Sequence, residues 1–306
     1  VSAYGTLAIT GGTGFLGGHL IRAARRRGFA VRALTRKLQA PQEGVVWIPG
    51  ALDRPETLAE LAAGADAVIH VAGAINAPDA AGFQAINVEG TLAMIQAARG
   101  AGIRRFIHVS SLAAREPELS NYGWSKARSE TVVAASALDW TVVRPPAIYG
   151  EGDRETLELF RMARRGVMPL PPNGRLSLIE AGDLSRLLLL LLDHHDSLAR
   201  TYEPDDGMPG GWDQRQFAHA LGDAVGRKVR AVPVPAFALK LASAVEVRLK
   251  GGEAKLTADR VRYFCHPDWV ARPEMHPPPT LWRPRIGTFG GLKATADWYR
   301  EHGWLD

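Results

Sequence analysis

Residues 7–20 read LAITGGTGFLGGHL. A short apolar run passes straight into a cluster of glycines and out into a helical pattern. Gly12, Gly14 and Gly17 satisfy G-x-G-x-x-G, while Gly11, Gly14 and Gly17 satisfy the related G-x-x-G-x-x-G spacing. Both registers ask for the same things: a tight turn, close approach of backbone to a pyrophosphate, and close packing of helix on strand, with the helix N-terminus facing the anion. The bland alternative is a glycine-rich turn that binds nothing. With a strand before and a helix after, the motif has the context it requires, so Gly11, Gly12, Thr13, Gly14, Phe15, Leu16 and Gly17 are expected to hold a dinucleotide.

The end of the second expected strand bears on which dinucleotide. An NAD-preferring site usually places a carboxylate there, about 20 residues past the glycines, to hold the ribose hydroxyls. This chain has LTRK at 34–37 instead. Arg36 can pair with a 2′-phosphate and Lys37 adds positive charge, so NADP (NADPH) is favoured over NAD. The plainer reading makes both residues solvated cations at a strand end.

Further along, apolar runs alternate with helical patterns: TLAIT at 6–10, AVRALT at 30–35, VVWI at 45–48, AVIHVAG at 67–73, RFIHVSS at 105–111 and WTVVRP at 140–145. Between them lie segments such as FQAINVEGTLAMIQAARGAG at 83–102, which ends in glycines. This order predicts an α/β fold, a Rossmann-type doubly wound parallel sheet covered on both faces. After Gly150 the alternation breaks down and proline and glycine become frequent, which predicts a smaller, loop-rich lobe. The expected division is a dinucleotide-binding domain over 1–150 and a substrate lobe over 151–306. No internal repeat or low-complexity tract is visible.

Composition narrows the function classes. Of 306 residues, 46% are apolar and 23% charged, the balance of a chain that folds. The single cysteine, Cys265, excludes an internal disulfide and a cysteine-rich metal site, and points to the cytosol. VSAYG at 1–5 runs directly into an apolar strand, so no secretory signal is expected. The longest apolar run, Leu187 to Leu192, is far too short to span a membrane and reads as a buried helix face. The net charge of +5 is small, and its densest cluster, Arg22, Arg25, Arg26 and Arg27, falls where the first helix should end, so no nucleic-acid partner is expected. The nine histidines lack H-x-x-x-H or H-E-x-x-H spacing, and no metal is expected. His70 reads as a satisfied buried histidine beside the cofactor, and the aromatic stripe of Trp298, Tyr299 and Trp304 as helix packing.

NYGWSKARSE at 121–130 places Tyr122 four residues before Lys126, on one face of a helix. A nearby ammonium stabilises phenolate, which would make Tyr122 a competent acid or base. Upstream, HVSS ends the fifth strand at Ser110 and Ser111, where a hydroxyl could polarise a substrate carbonyl. Alone, a Y-x-x-x-K match means little. Placed after a serine-bearing strand in a chain that opens with this cradle, it makes the sequence resemble the extended or atypical short-chain dehydrogenase/reductase family, within the NAD(P)-dependent epimerase/dehydratase superfamily. NVEGT at 87–91, VVRPPAIYGEGD at 142–153 and LSLIEAGDLSRLLLLLL at 176–192 are similar to further family segments.

The resemblance implies a seven-stranded parallel sheet, with segment 176–200 returning to the core. It implies Ser111, Tyr122 and Lys126 as catalytic residues, Ser111 fitting the family register better than Ser110. Lys126 would also hold the nicotinamide ribose, and Ala72, Gly73 and Pro145 would line the cofactor. Ala51 stands where relatives often carry an aspartate near the adenine, and the short stretch from Ser111 to Tyr122 is similar to the atypical branch that includes the accessory nucleotide-binding subunit of respiratory complex I. The expected activity is NADP(H)-dependent reduction of a small carbonyl substrate, or oxidation of the alcohol. A sugar-nucleotide epimerase or dehydratase and a non-catalytic NADPH-binding assembly protein are the alternatives. Ser111 is followed by Leu112, Ala113 and Ala114, and the first carboxylate beyond is Glu116, which equips the site poorly for elimination. The sequence names no substrate and leaves a homo-oligomer open.

Overall fold

The apolar runs at 6–10, 30–35 and 45–48 become β1 (Thr6–Thr10), β2 (Ala30–Thr35) and β3 (Val45–Pro49). The next three become β4 (Ala67–His70), β5 (Arg105–Val109) and β6 (Asp139–Val143), and Arg200–Tyr202 adds β7. They form one seven-stranded sheet in the order β7-β6-β5-β4-β1-β2-β3, parallel at every pairing. β4 and β5 are buried along their whole length, His70, Arg105 and His108 included, as strands covered on both faces should be. These are features of a computed structural model that describes residues 5–172, 174–250 and 257–305. Residues 1–4 of the N-terminal reading and Asn173, in the proline- and glycine-rich stretch after Gly150, lie outside the described residues.

The strand ends are shorter than the apolar runs. β4 stops at His70 and β5 at Val109, because the residues that follow turn out along the carboxyl edge of the sheet. The chain adds β2 and β3 on one side of β1, then crosses back to lay β4 on the other. Such a switch point is where open α/β sheets bind ligands.

Four helices matter for that edge: α1 (Phe15–Arg26), α2 (Pro55–Ala62), α3 (Gly90–Gly100) and α4 (Asn121–Ala134). The helix expected over 83–102 is interrupted: Ala80–Phe83 is α-helical, Gln84–Glu89 is a π-helical turn, and only then does α3 begin. Single π turns inside helices recur at functional sites.

The described chain divides into two units. The first comprises residues up to Pro145, Leu184–Pro204 and Met275–Trp282; the second comprises Pro146–Asp183, Asp205–Glu274 and Arg283 onward. Arg105, 2% exposed, ties the return segment into the first unit. Its guanidinium donates to the carbonyls of Leu191, Leu192 and Asp139 and to the hydroxyls of Thr141 and Ser197. All of Leu187–Leu192 except Leu190 are buried.

The second unit has its own core, with Tyr149, Phe160, Trp212, Phe217 and Tyr299 buried together. Within it, helix Gln214–Val225 begins with a capping box of Asp213 and Gln216 and ends at Gly226, whose φ of 73° suits glycine. Tyr299 is fully buried, with Trp298 and Trp304 packed against that core.

Candidate active site

Gly11 leaves β1 at φ 72°, and a Cβ there would stand 2.7 Å from the backbone nitrogen of Ala72. The turn after β1 and the turn after β4 therefore touch, and only glycine allows it. Gly14 donates its N–H to the Gly11 carbonyl at 3.0 Å and begins α1 in an extended conformation. At Gly17 a Cβ would fall 2.0 Å from that same carbonyl oxygen, so the helix can lie against the strand end only without a side chain. Gly12 faces Ile21 and Ala33, where a Cβ would be 2.9 Å and 3.1 Å away. The first turn of α1 holds no acidic residue, and no side chain caps Gly14. Thr13 and Gly14 are exposed, Phe15 half-buried, and Leu16 and Gly17 buried. A close-packed glycine turn opening onto an uncapped helix N-terminus fits the pyrophosphate of a dinucleotide.

Arg36 and Lys37 follow β2 at the same carboxyl edge, both exposed. The Thr35 hydroxyl donates to the Lys37 carbonyl at 2.6 Å and accepts the Lys37 N–H, which fixes the turn they stand on.

The second group of residues gathers after β5. Ser120 caps α4 by accepting the Gly123 N–H at 3.0 Å, and a Cβ on Gly123 would meet the Ala113 carbonyl at 2.6 Å. The first turn of α4 thus lies hard against the short 3-10 turn Leu112–Arg115, which Ser111 caps through the Ala113 N–H. That approach brings Tyr122 to the Ser111 hydroxyl. Ser110 points elsewhere, donating to Glu130. Lys126, one turn after Tyr122, is 4% exposed and donates from Nζ to the Val109 carbonyl at 2.8 Å. Its Nζ lies 3.6 Å from where a Cβ on Gly73 would begin. Pro145 is buried, its carbonyl accepting the Leu112 N–H.

The electrostatics correct one expectation. Lys126 does not pull the Tyr122 phenol down in the chain alone. Burial pushes that phenol above its ordinary value, and only the bond with Ser111 works against the rise. Burial also lowers Lys126 from 10.5 to about 8, with Glu130 one turn further opposing the drop.

His70 behaves as a buried, satisfied histidine. The Thr91 hydroxyl spends its proton on the Asn87 carbonyl, so His70 must donate to it through Nε2. Nδ1 then accepts from Thr10, whose oxygen in turn accepts the Ala72 N–H. Burial first, and Lys126 second, lower His70 to about 3 and keep it neutral.

Several positioning residues were not picked out from sequence. Asn87, in the π turn, donates from Nδ2 to the Ala74 carbonyl and Ser125 and accepts the Ala74 N–H, joining the loop after β4 to α4. Arg144 grips both oxygens of Glu130 and bonds Glu203, which also pairs with Arg115. Asn87 and Arg144 lay in stretches already noted, and Glu130 sits one turn past Lys126. Glu203, 59 residues from Arg144, carried no local signal. Among the described residues no three of His, Cys, Asp or Glu gather as metal ligands.

Comparison with known proteins bears on the family and the fold. Residues 11–166 match the model of a family described as NAD(P)H-binding. The ceramide reductase of Caulobacter vibrioides (strain NA1000 / CB15N) is 37% identical over 99% of this chain and 97% of its own length. A 4-hydroxy-2-methyl-3-oxo-4-farnesyl-3,4-dihydroquinoline-1-oxide ketoreductase of Stigmatella aurantiaca is also 37% identical, over 47% of this chain and 51% of its own. Among solved structures, gox2253 superposes with a TM-score of 0.78 at 22% identity over 99% of each chain. MoeE5 in complex with UDP-glucose and NAD gives 0.74 at 19%, over 97% of this chain and 99% of its own. At such identities the structures speak for the fold alone.

Proposed function

Because the chain belongs to the NAD(P)H-binding family, we propose that it is an NADPH-dependent oxidoreductase of the short-chain reductase type, reducing a keto group on a ceramide-type lipid. The observation that carries this reading is the meeting of the Ser111 hydroxyl with Tyr122, one helical turn from a buried Lys126 beside Gly73. The name of the Caulobacter relative suggests the substrate class.

When bound, the nicotinamide would supply hydride to the carbonyl carbon. Tyr122, its phenol held above the ordinary value, carries its proton at neutral pH and is placed to hand it to the carbonyl oxygen. Ser111 orients that oxygen. Lys126 is cationic at neutral pH and would hold the nicotinamide ribose. Gly11 to Gly17, Ala72, Gly73 and Pro145 would line the cofactor, and Arg36 with Lys37 would select NADPH by pairing with its 2′-phosphate. Elimination chemistry is disfavoured, since buried Ala113 and Ala114 follow Ser111 in place of an acid. A consumable reductant and a single free thiol fit the cytoplasm.

The test is NADPH oxidation with a detergent-dispersed ketone of the ceramide class, with the product identified by mass spectrometry. Tyr122→Phe should lower turnover by roughly 10²- to 10⁴-fold while NADPH affinity and melting temperature hold. Full turnover in that variant would remove Tyr122 from the mechanism. NADPH binding without consumption of any carbonyl would favour an assembly role.

A further inference from the structure

Helix Ala236–Lys250, in the second unit, turns its apolar residues outward. A surface helix ordinarily buries its apolar stripe and shows water its charges. Here Phe237, Leu241, Val245 and Leu249 recur every four residues and are 73%, 66%, 50% and 79% exposed. At 3.6 residues per turn, that spacing makes a continuous band drifting slowly around the axis. Among the helix's described side chains, only Ser243 is buried. The charges beside the band have one sign: Lys240 and Arg248 are exposed, while the carboxylate of Glu246 is half-buried and already engaged.

We infer that this helix seats the protein on a membrane surface bearing anionic headgroups, with Phe237, Leu241, Val245 and Leu249 in the acyl boundary and Lys240 and Arg248 at the phosphates. An interfacial helix combines an apolar band with flanking cations, whose long stems lie along the apolar region while their heads reach the headgroups. The same band pressed against a second copy of itself would bring cations against cations, which an isologous contact disfavours. An anionic lipid surface supplies the missing opposite charge. This docking goes beyond the reductase reading and does not depend on it. If both hold, a lipid ketone is taken from the surface on which the enzyme sits.

Flotation of the full chain with phosphatidylcholine vesicles, with and without phosphatidylglycerol, tests it. Wild type should float with the anionic vesicles and less with the neutral ones. Phe237→Ser with Leu241→Ser should weaken binding to both by roughly tenfold or more, and Lys240→Ala with Arg248→Ala only the binding to anionic vesicles. NADPH affinity, followed by fluorescence, and melting temperature should stay at wild-type values in all variants. Wild type that stays at the bottom of the gradient overturns the inference, as do variants that float as wild type does. A dimer in light scattering that the serine variants split, without vesicle binding, would assign the band to a second copy instead. Wild type that floats but consumes no carbonyl would count against the reductase reading alone.

Discussion

Replacing Lys126 with methionine should change how stability responds to pH more than how large it is at neutrality. Lys126 is 4% exposed, and burial lowers its pKa from 10.5 to about 8. Between those two values the unfolded chain binds the proton and the folded chain does not, so stability rises with pH across that window. Below about pH 8 both states are protonated, and folding bears the full cost of keeping the cation from water. At 1.36 kcal/mol per pKa unit, the gain from pH 7 to 10.5 is about 3 kcal/mol. Methionine removes the charge at similar length but leaves the Val109 carbonyl without the donor it has at 2.8 Å. That loss costs about 1 to 3 kcal/mol. At pH 7 the two effects nearly cancel; at pH 10.5 only the lost hydrogen bond remains, and wild type should be the more stable protein. Urea unfolding of both proteins, followed by tryptophan fluorescence at steps from pH 7 to 10.5, gives the difference directly. A difference that stays constant across the series would refute the reasoning, because it would mean the ammonium is as well solvated folded as unfolded.

Gly17→Ala would put a Cβ 2.0 Å from the Gly11 carbonyl oxygen, so it should lower the melting temperature and abolish NADPH binding, whereas Gly14→Ala, at 3.2 Å, should do much less. Calorimetry reads both effects. Arg36→Ala should weaken NADPH by about 1.5 to 3 kcal/mol, the range for a charge-assisted bond, and leave NADH unchanged; equal losses by titration calorimetry would remove the phosphate role. His70 has a folded pKa of about 3 against 6.5 unfolded, so its contribution to stability is complete above pH 6.5 and is lost as pH falls toward 3. Denaturant midpoints measured from pH 7 to 4 should therefore fall less steeply in His70→Asn than in wild type.

The sheet was readable because most of its strands are largely buried and write themselves as short, mainly apolar runs between helical patterns, and because a glycine turn states a local steric demand. The Tyr122–Lys126 spacing was readable for the same local reason. Strand ends were not: AVIHVAG looks apolar to residue 73, yet the strand stops at His70 so that the next residues can pass over Gly11. Neither was the charge state of Tyr122, which depends on burial set by neighbours distant in sequence. Glu203 lies far along the chain from both arginines it holds, and periodicity has no access to such a pairing. The four-residue repeat from Phe237 to Leu249 would ordinarily read as a stripe facing a core, and only the fold reveals that it faces outward.

The arginine at position 105 sets a limit on how the chain can be divided. Its hydrogen bonds run to β6 and to the stretch from Leu191 to Ser197, which arrives only after the chain has left for the second unit. Arg115 likewise depends on Glu203. A fragment ending near residue 150 would contain the whole glycine cradle and the whole Ser111, Tyr122 and Lys126 group. It would nevertheless lack the bonds from Arg105 to Leu191, Leu192 and Ser197 and the pairing of Arg115 with Glu203, beside an unfinished sheet edge. The β6 edge of the sheet and the settings of these two arginines are therefore completed only by residues near 203, so a cut at residue 150 would divide the first unit and not merely separate it from the second.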